Sequence, residues 1–247
     1  TIDEIGIWNK TLTGAEIAGL YNRSKGDYPT AGTYESDVIS QENVTNWVNI
    51  TLGTDFLYKG NLHINDSVYG ADGGMVFYMR LDNNTLEGES QTLALDEFGR
   101  NNGTINGNPR WSRGGIENGS MDFNGLSADY IEVIDPAGSI IDLLSNSFTI
   151  AMWVKFNNFV DQRILYKTQG SPFNGYYVAT FGSSLYFGMG DGTTTAEPSA
   201  PIVKDKWYYA VGVLNRNTNS VRIYLNGEYA SEVNATISGN SDPTINL

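Results

Sequence analysis

The sequence predicts an all-β protein: two antiparallel sheets packed face to face, with one short helix near the N-terminus and a small β-containing linker. Three observations predict it. Residues 147–156 place Phe148, Ile150, Met152, Val154 and Phe156 on one face and Thr149, Ala151, Trp153 and Lys155 on the other, the two-residue period of a strand that looks inward on one side. Further β-branched and aromatic runs lie at 76–81, 130–134, 163–166, 176–180, 185–188, 207–213 and 221–225, the composition that half-buried strands require. Between the runs stand Asn-Gly or Asp-Gly pairs starting at 102, 106, 118, 124, 174, 191 and 226, which tolerate positive φ and close tight turns. Leu225-Asn226-Gly227-Glu228, flanked by Val221 and Val233, predicts a hairpin.

The helix is expected from about Gly14 to Tyr21. Thr13 and Glu16 have capping-box spacing, and Ile17, Leu20 and Tyr21 form an apolar stripe. Pro29 then breaks the chain, and residues 30–74, with weak alternation around Trp47–Leu52, read as a linker or small β segment.

Composition narrows the function. The 247 residues suffice for one large sandwich with a real core. Fifteen Lys and Arg against 28 Asp and Glu give a net charge of -13, which repels phosphate backbones and anionic lipid. Nucleic acid and membrane surfaces are thus poor partners, and no run of 18 apolar residues suggests membrane insertion. With no cysteine, a disulfide framework, thiolate metal site or cysteine nucleophile is impossible. The chain starts at Thr1 without an apolar leader, and a processed product or a piece of something longer is expected. Asn-x-Ser/Thr triplets at Asn9, Asn22, Asn43, Asn49, Asn65, Asn83, Asn102, Asn118 and Asn234 suit an exported, glycosylated chain at the cell surface.

Two stretches carry a family resemblance. Residues 2–21, beginning Ile-Asp-Glu-Ile-Gly-Ile-Trp, are similar to the closing strand and short helix of laminin-G-like jelly rolls of the concanavalin A-like lectin/glucanase superfamily. Residues 77–82, 95–104, 121–125, 129–133, 148–156, 207–213 and 221–227 resemble, in that order, the same family's opening strand, Asp/Gly/Asn loop, phenylalanine-glycine turn and sandwich strands. The closing element therefore precedes the domain that it closes. Residues 1–29 read as closing strand and helix, and 75–247 as a jelly roll lacking its own closing strand. An unfilled sheet edge costs hydrogen bonds and invites a strand, so Ile2, Ile5, Ile7 and Trp8 are expected to complete a sandwich, in the same chain, in a neighbouring copy or along a tandem array.

The resemblance implies a calcium site at Asp96 and the Asn101 carbonyl, with Asp3 as partner acid; Asp and Gly also favour such turns without any metal. It implies glycan binding at exposed aromatics, for which Tyr176, Tyr186 and Trp153 with the Asp191 loop are the candidates. Catalysis finds little support. His63 is the only histidine and lacks nucleophile partners. The Glu-x-Asp-x-x-Glu strand of glucan-cleaving relatives is not reproduced by Asp3-Glu4, Asp96-Glu97 or Glu132 with Asp135. The expectation is a non-catalytic extracellular structural or adhesion module, a repeat or subunit of a surface filament or array. A carbohydrate-binding module of a secreted adhesin or enzyme is the alternative.

Overall fold

The computed structural model describes residues 1–25, 74–116, 118–125, 128–134, 141–143, 146–238 and 247. In chain order the elements are β1 (Ile2–Trp8), α1 (Gly14–Ser24), β2 (Met75–Met79), β3 (Leu93–Ala94), β4 (Gly103–Asn106), β5 (Arg110–Ser112), β6 (Ser120–Asp122) and β7 (Tyr130–Val133). There follow β8 (Phe148–Lys155), β9 (Gln162–Gln169), β10 (Asn174–Phe181), β11 (Ser184–Asp191), β12 (Thr195–Ala196), β13 (Ser199–Pro201), β14 (Trp207–Asn215), β15 (Ser220–Leu225) and β16 (Glu228–Asn234). The runs at 76–81, 130–134, 147–156, 163–166, 176–180, 185–188, 207–213 and 221–225 each overlap a strand. The linker reading of 30–74 falls, Gly74 apart, outside the described residues.

The strands form antiparallel sheets. The largest runs β16-β15-β14-β8-β1-β6-β5, with β2 also alongside β1; a second joins β12-β11-β10-β9, with β13 on β11; a third is β3-β4-β7. Between them lies the main core, where Phe148, Ile150, Met152, Val154 and Phe156 meet Tyr176, Val178, Leu185, Phe187 and Met189. The hairpin predicted at Asn226-Gly227 joins β15 to β16 with positive φ at both residues, 53° and 81°, the signature of a two-residue primed turn.

β1 lies inside the largest sheet of its own chain. Ile7 pairs with Ile150 of β8 on one side and with Phe77 of β2 on the other, while Ile2 meets Met121 of β6. Ile7 and Trp8 are fully buried, so the sandwich is closed by this segment. A bulge between Asp3 and Ile5 accommodates Glu4 at φ 51°. This kink re-aims one side chain without breaking the ladder: Glu4 is buried and accepts a 2.6 Å hydrogen bond from the Tyr78 hydroxyl.

Two expectations need correction. The helix runs three residues past Tyr21, to Ser24. Thr13 and Glu16 form the reciprocal capping box. More consequentially, the centre of the largest sheet, at β8 and β14, is buried on both faces. α1 lies across the side away from the main core, and Ile17 and Leu20 pack with Trp8, Ala151, Trp153, Tyr209 and Val211 in a second cluster. Seven of the eight residues of β8 are buried, so the Thr149, Ala151, Trp153 side faces a helix where the sequence suggested a single inward face.

Candidate functional site

The five-stranded sheet presents its outer side as an aromatic surface. Tyr176 and Val178 point into the core, so Tyr177, Ala179 and Phe181 point away from it. Tyr166 stands opposite Tyr177, and Tyr186 opposite Ala179. The rings are in contact: centroids are 6.4 Å apart for Tyr166 and Tyr177, 5.2 Å for Phe173 and Tyr177, and 5.2 Å for Phe181 and Tyr186. Across the strand from Tyr177 stands Gly188, where a Cβ would come within 2.1 Å of the Tyr177 ring. The missing side chain is what lets that ring lie on the sheet.

Polar groups frame the rings. The Arg163 guanidinium sits 4.6 Å from the centre of Tyr166, and the Tyr177 hydroxyl donates to Glu197. Burial first, and then that bond to a carboxylate, push the Tyr177 phenol up. Tyr166 is 39% exposed and Phe181 47%, while Tyr177 is buried at 6% and backs the Tyr166 ring. Exposed aromatic faces beside hydrogen-bonding side chains suit ligands with one apolar and one hydroxylated side. A cleft of about 1020 Å³ takes in this surface, with Tyr166, Tyr177, Phe181 and Glu197 in its lining beside Tyr130, Asp161 and Arg163.

Of the aromatics expected to bind glycan, only Tyr186 lies on this surface. Tyr176 is 1% exposed. Its ring packs on Phe148 and its hydroxyl donates to the Ile141 carbonyl at 2.9 Å. The reading was off by one residue, which in a strand reverses the face. Trp153 is 3% exposed, held between Tyr21 and Tyr209, with its indole N–H on Ser24 Oγ at 3.0 Å; the helix covers the face that a lone amphipathic strand would leave open. Neither ring offers a surface to a ligand. Asp191 is buried too and works as a clamp. It accepts from the Thr193 N–H and hydroxyl, the Thr194 N–H and the Ser238 N–H, all at 2.7–2.9 Å. Burial raises its pKa, but these bonds, the Thr194 N–H foremost, outweigh it and hold the carboxyl well below the usual range.

Tyr166, Tyr177 and Phe181 were missed by sequence reasoning. Tyr176, Tyr177, Val178 and Ala179 follow one another without a polar residue, so local order carries no signal for which parity faces outward.

The residues implied for calcium do not fit the ion. Asp96 accepts backbone N–H bonds from Tyr78, Phe98, Arg100 and Asn101 at 3.1–3.3 Å, which uses both carboxylate oxygens to tie its own turn to β2. Asn101 is beside it, but Asp3 is not. Tyr78 pairs with Gly6, three residues along β1 from Asp3, with the bulge at Glu4 between them. Asp3 instead accepts the Ile116 N–H at 2.6 Å. Among the described residues no group of three or more His, Cys, Asp or Glu is placed to hold a metal. His63 lies outside them, as do Asn43, Asn49 and Asn65, while Asn9, Asn22, Asn83, Asn102, Asn118 and Asn234 are all exposed.

Residues 125–246 match a laminin-G-type family model described as the concanavalin A-like lectin/glucanases superfamily. That stretch of the chain is similar to this superfamily, and the antiparallel sheets are consistent with a concanavalin A-like sandwich. No curated protein sequence matches. Among solved structures, the botulinum neurotoxin serotype D binding domain is 15% identical with a TM-score of 0.49, over 62% of this chain and 40% of that one. The serotype C1 binding domain is 15% identical with a TM-score of 0.48, over 64% and 40%. A putative carbohydrate binding protein from Bacteroides ovatus is 18% identical with a TM-score of 0.35, over 53% and 40%. The aligned region therefore spans well under half of each of those chains.

Proposed function

We propose that the chain is a non-catalytic binding and adhesion module of the extracellular surface, and that it engages carbohydrate on the outer face of β9, β10 and β11. The observation that carries this reading is the two ring pairs on that face, Tyr166 with Tyr177 and Phe181 with Tyr186, flanked by Arg163 and Glu197. Pyranose rings have one C–H-rich face that stacks on such aromatics while their hydroxyls bond to charged groups at the edge. Glycan-array binding tests it. Wild-type protein is expected to retain a subset of glycans, and Tyr166→Ala and Phe181→Ala to lose them with an unchanged melting temperature. Retention by both variants, or no glycan bound by the wild type, overturns the reading. Release of reducing sugar from a bound polysaccharide would overturn its non-catalytic part. The exposed acceptor asparagines support N-glycosylation in an exported protein, which a mass decrease after enzymatic deglycosylation of native material would register.

A second reading, assembly into a filament or tandem array, is favoured by the position of β1. It is an interior strand with partners on both sides, and just past it the Asn9 N–H donates to the Gly74 carbonyl at 2.8 Å. The same strand from a neighbouring copy would make the same ladder. Light scattering across a hundred-fold concentration range separates the cases: growing mass supports exchange, and a constant monomer removes it.

A further inference from the structure

Two apolar projections stand at one end of the sandwich, outside the cleft. β1 is antiparallel both to β8, with Ile2 opposite Val154, and to β2, with Ile5 opposite Met79, so β8 and β2 flank it and run to the same end. There the Thr1 carbonyl accepts the Lys155 N–H at 3.0 Å, and the Phe156 carbonyl accepts the Asp205 N–H at 2.7 Å, which brings residues 202–206 beside residues 157–160. On the other side of β1 the chain leaves β2 into a turn at 82–90. That turn is fastened at the same end, because the Trp111 indole N–H donates to the Ser90 carbonyl at 3.1 Å and Trp111 pairs with Met121, itself the partner of Ile2. The roots of the two projections are two strand spacings apart, about 10 Å.

The projections differ in charge. Leu86 is 98% exposed. A lone exposed leucine is ordinary, but this one is held out by a built turn. The Asn84 carbonyl accepts the N–H groups of Glu87, Gly88 and Glu89 at 3.1–3.2 Å, and the Glu89 carboxylate accepts the Asn84 N–H at 2.8 Å. Residues 82–89 contain Asp82, Glu87 and Glu89 and no Lys or Arg, while Arg80 behind them is shared between Glu87 and Glu97. The other projection carries Val160 and Val203, 49% and 50% exposed, with Lys204 Nζ 5.2 Å from the centre of the Phe159 ring and Lys206 exposed nearby. Residues 155–160 and 203–207 hold three Lys against one Asp, in a chain whose net charge is -13. None of Leu86, Phe159, Val160, Val203, Lys204 or Lys206 lines the cleft.

We infer that this end of the sandwich is a self-complementary interface for a second copy of the chain, in which the Leu86 turn of each copy seats on the Val160, Val203 and Lys204 projection of the other. Under two-fold symmetry each contact is made twice, once in each direction, and a molecule whose two projections lie side by side satisfies both at once. The apolar tips supply the buried centre. Glu87 faces Lys204 and Lys206 at the rim, where opposite charge selects the partner and like charge rejects it. The pair is closed, which separates it from an exchange of β1 between copies.

Sedimentation velocity on the whole chain from about 1 to 500 µM tests it, a range that reaches the weak association of a small interface. The wild type is expected to pass from monomer to dimer and no further, and to associate at least about ten-fold more weakly when salt rises from about 0.05 to 0.5 M. Leu86→Ser is expected to weaken the pair about ten-fold through lost apolar burial. Glu87→Lys makes both contacts of its own dimer basic on basic, and Lys204→Glu with Lys206→Glu makes both acidic on acidic, so each variant alone is expected to stay monomeric. All these side chains are at the surface, and melting temperatures are expected to stay within a few degrees of the wild type. Mixed one to one, the two charge variants regain both contacts with the signs exchanged, and a heterodimer is expected to form. A wild type that stays monomeric, a mass that grows beyond two copies, or a mixture that remains monomeric would overturn the inference. A dimer that survives both charge reversals would overturn it too, and would leave exchange of β1 as the source of that dimer.

Discussion

Removing residues 1–25 tests the architecture directly, because that arm supplies both an interior strand and the helix that roofs it. Ile7, Trp8, Leu12, Ile17 and Leu20 are each 0–1% exposed. Full burial of a large apolar side chain contributes about 1.5–3 kcal/mol, so these five alone amount to roughly 8–15 kcal/mol, the same size as the total stability of a typical domain, about 5–15 kcal/mol. Deletion also unpairs one edge each of β2, β6 and β8. A protein comprising residues 26–247 is therefore expected to show no cooperative thermal transition by circular dichroism, and a synthetic 1–25 peptide added at equimolar ratio is expected to restore one. The single change Ile7→Ala, which leaves the ladder intact, is expected to cost about 2–5 kcal/mol in urea unfolding. A truncated protein that melts within a few degrees of the full chain would refute the reasoning, since β1 would then be an ornament on a sandwich complete without it.

Other outcomes follow from named contacts. Asp96→Ala leaves four backbone N–H groups without their acceptor and is expected to lower stability by about 2–4 kcal/mol, while millimolar Ca²⁺ leaves the wild-type melting temperature unchanged; a calcium-induced rise that vanishes in Asp96→Ala would contradict the turn-organising role. Asp191 has a folded pKa below its unfolded one, so its stabilisation is complete above the unfolded value near 4 and is lost as pH falls through the folded value. Asp191→Asn should accordingly lower the melting temperature at pH 7 and narrow its deficit below pH 4, and a deficit that widens on acidification would count against this assignment. Gly188→Ala puts a Cβ within 2.1 Å of the Tyr177 ring, and displacement of that ring is expected to weaken glycan binding more than Tyr176→Phe, which removes only a buried bond to Ile141 worth about 1 kcal/mol. Equal binding by the two variants would argue against the outer face.

Much of the fold was legible because strand alternation and turn chemistry are local. The run at 147–156 and the Asn226-Gly227 turn specify their own conformations through side-chain direction and tolerated φ, and Thr13 with Glu16 announces the helix start for the same reason. The short strands β3, β5, β12 and β13 carry too few residues for a period to emerge, and only their ladders define them.

The aromatic surface shows where local reading stops. Tyr176 and Tyr177 are adjacent and chemically alike, and either parity satisfies the sequence; packing of Tyr176 against Phe148 chose the one that turns Tyr177 outward. Trp153 belongs by its pattern to a solvent face and is buried because α1 returns across it. The sequence by itself determined the antiparallel sandwich, its turns, its helix cap and the need for a strand like Ile2–Trp8, since each rests on interactions within a few residues or on an unsatisfied edge. The tertiary structure alone decided where that strand enters, which face of each sheet stays exposed and which carboxylates are free to act, because burial and hydrogen-bond partners across more than a hundred residues of chain, as between Asp3 and Ile116, have no signature in local order.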